Sequence, residues 1–427
     1  MSGSGYKAVW LSNDMKLYQK SDSDNKDEIY KYETDGNGEF KKIDLSKNNS
    51  DVKTTIKNEA SKFLDNKYDH IVVLIGAGAS VTDNILKKDD KGIAIAGVTV
   101  AKIADEVAEK LSAGKYCLKG ESVEVLKLDD IAKKINYSDD IFNDAKLNDN
   151  FNLEECLSNI FTYEKFINDE DKEKQKFINT KKAILDIIVK ATSYNYDNKL
   201  FNHAKFLNIL SKRTNTESKL NLVTTNYDTL IEDAAESMKW TVFDGFSFSQ
   251  NPQFDSTMFD WNLVKEVPNV KTNENIYKPN VVNLLKIHGS ITWERSKSGN
   301  NISRKSKTLI VDDPIMVFPS TNKYAQSYQE PYFDLFNKFQ NLLHKPNTLL
   351  ITTGFSFSDN HIARMIISAI QTNDGLSTLI TDFNVEPQNK NWEELTQAMD
   401  NYYNVAFLKA TLNGELSDYL GGSMNDN

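Results

Sequence analysis

Residues 70–75, His-Ile-Val-Val-Leu-Ile, form a continuous apolar run that stops at Gly76. A strand with one face in water alternates polar and apolar residues. A run without alternation is the pattern of a strand covered on both faces, as in a parallel sheet. Residues 220–224, 281–287, 348–352 and 379–381 share the pattern, and 405–408 offers a sixth strand. Helical periodicity follows several of them, notably over 228–237 and 360–370. Strand, turn and helix in repetition predict an α/β fold with a doubly wound, mostly parallel, Rossmann-like sheet.

The other segments are of different kinds. Four short alternating stretches within 7–43, separated by polar turns such as Asp35-Gly36-Asn37-Gly38, predict a small N-terminal β appendage over 1–57. Its charge suggests a docking module rather than a core element. Residues 58–415 form the expected nucleotide-binding body, with a helical insertion over about 100–215. Residues 416–427 are expected as a flexible tail, and 294–309 as a polar, basic hairpin or mobile loop.

With 39% hydrophobic and 11% aromatic residues among 427, the chain can bury a substantial core. Fifty-one basic against 61 acidic residues leave a net charge of −10, so no global attraction to nucleic-acid phosphates is expected. The basic run around Arg295 and Arg304 reads as a solvated loop. Cys117 and Cys156 cannot build a disulfide framework or a four-thiolate zinc site. No stretch approaches the ~20 apolar residues of a membrane helix. A cytoplasmic protein with no membrane contact and no metal is expected.

Open α/β sheets bind ligands beyond the carboxyl ends of their strands, which directs attention to four polar strand ends. Gly76-Ala77-Gly78-Ala79-Ser80 follows the first core strand, where small residues let backbone N–H groups approach a pyrophosphate. A tight turn without a ligand would look the same. Val81 occupies the place of a third fingerprint glycine, and no acidic residue ends a second strand about twenty residues on, so a hydride-transfer enzyme is not expected. Asn226-Tyr227-Asp228 ends the second strand, where either polar residue could simply cap the next helix. His288-Gly289 ends the third, and Gly354-Phe355-Ser356 the fourth. Each signal is weak alone, but the four come in order on successive strands.

That order resembles the sirtuin fold over roughly residues 68–410, with the helical insertion in place of the sirtuins' small domain. More narrowly, the stretches 153–158 and 317–324 are similar to the bacterial sirtuin-like NAD hydrolases of antiphage defence. The length and the N-terminal extension most resemble the sirtuin-like subunit paired with a HerA-type hexameric ATPase translocase. The resemblance implies NAD as substrate, with Gly76, Ala77, Gly78 and Ser80 on its pyrophosphate and ribose. It implies Asn226 ordering the nicotinamide ribose and a water, His288 as general base, and Asp228 buttressing Asn226. Gly354 and Ser356 would meet the adenosine side, with Asp382 or Asn384 a further candidate there.

Two departures matter. The zinc ribbon of protein-deacylating sirtuins is missing, since residues 293–318 hold no cysteine. The Pro-Asp-Phe-Arg stretch usual after the glycine turn is absent too, leaving Asp83 as a candidate for nicotinamide recognition. Both favour NAD hydrolysis over the first alternative, an NAD-dependent protein deacylase; intact Asn226 and His288 count against the second, a non-catalytic nucleotide-sensing scaffold subunit. Because unchecked NAD destruction would starve the cell, a homo-oligomer gated by the partner ATPase is expected.

Overall fold

The computed structural model describes residues 5–21, 27–33, 39–45, 51–82, 96–138, 140–144, 146–148, 150–214, 217–266, 275–296, 301–307, 311, 314–316, 331–401 and 403–421. The turn 35–38, Asp83, the stretch 317–324, Lys297 of the basic run and the tail 422–427 lie outside them.

Eleven strands form the central sheet. They are β1 (Lys7–Ser12), β2 (Lys16–Ser21), β3 (Asp27–Glu33), β4 (Glu39–Lys42), β5 (His70–Ile75), β6 (Leu220–Thr224), β7 (Thr241–Phe243), β8 (Val281–Lys286), β9 (Thr348–Thr353), β10 (Leu376–Asp382) and β11 (Val405–Lys409). Their order is β7-β8-β6-β5-β9-β10-β11-β1-β2-β3-β4. Pairing is parallel from β7 through β11 and antiparallel from there outward. The expected doubly wound sheet is present. Chain order reverses between β5 and β9, and the crevice at such a reversal is where open α/β sheets take ligands.

Helices cover both faces. On one lie α1 (Val52–Leu64), α6 (His203–Ser211), α7 (Leu230–Ser237) and α11 (Leu416–Leu420), packed on Ile71, Val73 and Ile75 of β5. On the other lie α8 (Tyr332–Leu343), α9 (Asn360–Thr372) and α10 (Glu393–Asp400), packed on Val72 and Leu74. Alternate β5 side chains serve the two layers, which is why the run at 70–75 shows no polar alternation.

Three boundaries differ from expectation. The N-terminal ribbon is not peripheral at its root: β1 pairs with β11 through Trp10↔Leu408, and Val9, Trp10 and Leu11 are buried. The flexible tail does not begin at 416, because Leu416 and Leu420 of α11 are fully buried against the α1 and α6 layer. Each such burial contributes about 1.5–3 kcal/mol, enough to order a short helix. The insertion ends earlier than 215. Its own core runs from Val98 to Ala191 and is built on α2 (Val100–Leu111), α3 (Leu128–Lys134), α4 (Leu153–Glu164) and α5 (Lys174–Thr192), with two short ribbons, Lys115–Leu118 with Glu121–Glu124 and Phe142–Asn143 with Lys146–Leu147. Helix α6 instead belongs to the sheet layer. At 294–309 the described part is a hairpin, Gly289–Arg295 paired with Ile302–Arg304.

Candidate active site

Two turns interlock at the chain reversal. The Gly76 N–H donates to Thr353 O at 2.9 Å and the Gly78 N–H to Gly354 O at 2.9 Å. A Cβ on Gly76 would lie 2.4 Å from Gly354 O, and one on Gly354 2.1 Å from Ala79 N. These glycines let two backbones touch. Gly76 and Gly78 stay off the pocket wall while Ala77 and Ser80 line it, so the N–H groups of Gly76 and Gly78 are committed to the neighbouring turn rather than presented to a pyrophosphate. From the far end of the chain, Asn413 Nδ2 donates to Ala79 O and Val81 O at 2.9 and 3.0 Å and fixes the turn from behind.

Above this floor lies a pocket with about 1050 Å³ of free space, part of it open to solvent. One wall is the sheet edge: Ala77, Ser80, Asn226, Asp228, His288, Gly354 and Ser356. The opposite wall is the insertion, with Val100 and Ile103 of α2, Leu153, Glu154 and Leu157 of α4, and Ile188 of α5. The insertion therefore forms half of the site.

The proton inventory around Asn226 decides what that amide can do. Ser80 Oγ donates to Asp228 Oδ2 at 2.7 Å, so its lone pair accepts from Asn226 Nδ2 at 3.0 Å. Asn226 Nδ2 gives its second hydrogen to Gly76 O at 3.0 Å. Both amide hydrogens are thus engaged, while the buried Oδ1 has no protein partner. The resemblance implies that Asn226 orders the nicotinamide ribose and a water; doing so as donor to one and acceptor from the other is not open to it. Asn226 lines the pocket with a buried acceptor as its one unengaged side-chain atom, and Asp228 supports it through Ser80.

His288 is 4% exposed at the end of β8, with Nε2 3.4 Å from Asp359 Oδ2. Asp359 Oδ1 accepts from the His361 and Ile362 N–H groups at the start of α9, so the carboxylate is held by one oxygen while the other faces the imidazole. Asp359 is a functional candidate that reading the sequence missed, since an aspartate before a helix reads as a cap and here serves as one too. Phe357, two residues earlier, sits at φ +59°, a conformation rare for a bulky residue, and is buried against Phe355. That loop holds an unfavourable backbone beside the pocket.

Lys286, 1% exposed, was also missed. Its ammonium donates to Asp228 O and pairs with Glu232 Oε1 at 3.1 Å, tying the β8 end that carries His288 to the turn that carries Asn226. Asp382 and Asn384 are not among the lining residues. Glu154, Asp228 and Asp359 bring three carboxyl groups to the pocket, and among the described residues no lysine or arginine lines it. The site favours positive charge.

His203, 2% exposed, lies close enough to Asp228 to interact electrostatically, and burial pushes its pKa down to about 4 despite that carboxylate. Unfolded, it would titrate near 6.5. Between these values the unfolded chain binds a proton that the folded chain refuses, so stability falls as pH drops from about 6.5 to 4, by up to about 3 kcal/mol. Urea midpoints across that range should show the loss, and His203→Leu should flatten it. An equally steep loss in the variant would place the acid sensitivity in other groups.

Residues 220–405 match the model of the SIR2-like domain. The SIR2-like segment carries Asn226, Asp228, His288, Gly354, Ser356 and Asp359, and leaves the turn at Gly76 outside it. No curated protein matches the chain. A solved chain from a structural study of the mechanism and regulation of Sir2 enzymes aligns at 10% identity over 86% of this chain and 95% of that one, with a TM-score of 0.30, a likeness too distant to carry an argument. Among the described residues, no three His, Cys, Asp or Glu side chains converge as a metal would require, and no helix is long and apolar enough to cross a membrane.

Proposed function

We propose that this chain cleaves NAD at its nicotinamide–ribose bond, releasing nicotinamide and ADP-ribose. The observation that carries the reading is one pocket holding an acceptor-only Asn226 and a His288–Asp359 pair among carboxyl groups with no described cation. NAD presents a cationic pyridinium, and bond breaking moves positive charge onto the ribose. Carboxylates stabilise such charge where water is partly excluded. The leaving group departs neutral, taking the bonding pair onto its ring nitrogen, so no acid is needed there. Asn226 Oδ1 accepts a hydrogen bond from the attacking water or a ribose hydroxyl and orients it. The water oxygen bonds to the ribose carbon, and its proton passes to neutral His288, whose imidazolium Asp359 steadies. Ala77, Ser80, Gly354 and Ser356 would hold the remainder of the dinucleotide.

A deacylase would use the same NAD pocket but needs an acyl-peptide. With cysteines only at 117 and 156, the chain holds no four-cysteine ribbon, which supports hydrolysis. The role we propose is antiphage defence by NAD depletion, in a homo-oligomer gated by a HerA-type ATPase. The insertion wall supports gating, because shifting α2 and α4 would open or close the pocket. Nicotinamide release measured with and without acetyl-peptide, and with and without the ATPase, tests these readings. Release without peptide and altered by the partner is expected; strict peptide dependence would make the chain a deacylase.

A further inference from the structure

At the other end of the same strands lies a second cleft, with about 970 Å³ of free space, part of it open to solvent. Its base is a cross-strand asparagine pair. Asn221 of β6 and Asn283 of β8 stand opposite each other in the parallel ladder and are buried to 6% and 7% exposure. Asn283 Nδ2 donates to Asn221 Oδ1 at 3.0 Å, and Asn221 Nδ2 to Lys219 O at 3.0 Å. Asn283 Oδ1 is buried without a partner. Two asparagines inside a parallel sheet, one carbonyl unsatisfied, are costly as packing alone.

Three ammonium groups line this cleft: Lys219 before β6, Lys338 on α8, and Lys345 between α8 and β9. Lys338 pairs with Asp260 at 2.9 Å, and Lys219 Nζ donates to Phe259 O at 2.6 Å. Glu217 and Asp260 also line the cleft, so its three ammonium groups face two carboxylates and leave one positive charge in excess. Among the described residues Lys345 makes no ion pair. Burial, opposed by Asp260 and reinforced by Lys338 and Lys345, lowers Lys219 to about 8. His70 at the start of β5 is depressed by burial and then by Lys345, in the same sense.

We propose that this cleft binds a phosphate group, as a free ion or as a monoester on a small molecule, at a site separate from the NAD pocket. With Lys338 paired to Asp260, a dianion answers the remaining Lys219 and Lys345 better than a carboxylate does, and a P–OH or an adjacent hydroxyl supplies the donor that Asn283 Oδ1 lacks. Calorimetric titration with inorganic phosphate, ribose 5-phosphate and sulfate at matched ionic strength tests the assignment. Saturable millimolar or tighter binding of a phosphate species is expected, with sulfate at least about tenfold weaker because it brings no donor. Lys345→Met and Asn283→Asp should each weaken phosphate binding by about tenfold or more. Tighter binding of ribose 5-phosphate than of phosphate identifies a monoester as the ligand, and the reverse order identifies the free ion. Absence of saturable binding, equal binding of sulfate, or indifference to both substitutions would overturn the proposal.

Discussion

His288→Ala and Asn226→Ala are each expected to slow NAD cleavage by about 10²-fold or more, in kcat rather than KM. The two losses have different origins. His288→Ala removes the proposed base for the attacking water and leaves Asp359 still capping α9. Asn226→Ala removes the acceptor proposed to orient that water and leaves Ser80 Oγ bonded to Asp228. Asn226→Asp is the sharper test. It keeps the size and an acceptor, but turns a carboxylate oxygen toward Gly76 O and Ser80 Oγ, where the amide now donates. We expect it to be as inactive as the alanine variant. Ser80→Ala, which cuts the link between Asn226 and Asp228, should cost less, about tenfold. Steady-state kinetics on folded variants decide it; normal turnover in Asn226→Asp would show that the donor bonds of the amide do not set its pose.

Gly354→Val is expected to be the most destabilising of the single glycine replacements around the site. Two effects add. The residue sits at φ +63°, which costs a side chain about 1–2 kcal/mol, and its Cβ would meet Ala79 N at 2.1 Å and Gly78 C at 2.5 Å. Those neighbours are backbone of the facing turn and can give way only by moving the floor of the pocket. Overpacking of that kind costs about 1–3 kcal/mol, for a total of about 2–5 kcal/mol. Gly120→Ala supplies the control, since Gly120 has φ +88° with nothing within 4 Å of its Cβ. It should lose only the conformational part, about 1–2 kcal/mol. Chemical denaturation compares the pair. Equal losses would mean that the contact between the two turns contributes little.

These interlocked turns also show where the sequence stops being legible. The apolar runs of the core strands announce themselves because every side chain on them is buried. The glycines at 76 and 78 are visible as small residues, yet the partner that requires them, Gly354, lies nearly three hundred residues on. Proximity to a pyrophosphate and proximity to another backbone leave the same trace in a sequence. The Asn226 hydrogen bonds are hidden for the same reason, since Ser80 and Gly76 come from a different strand. Asp359 was concealed by doing two things at once, capping a helix and facing an imidazole. The place of β1 in the core was masked by the polar strands beside it, and its partner β11 follows some four hundred positions later.

The most direct test is a proton NMR time course of NAD with the purified chain, alone and with the proposed HerA-type ATPase, in the absence of any peptide. Free nicotinamide and ADP-ribose should appear in equal amounts, and about 10²-fold or more slowly with His288→Ala. NAD unchanged in every assembly state of a folded protein would contradict the proposed cleavage.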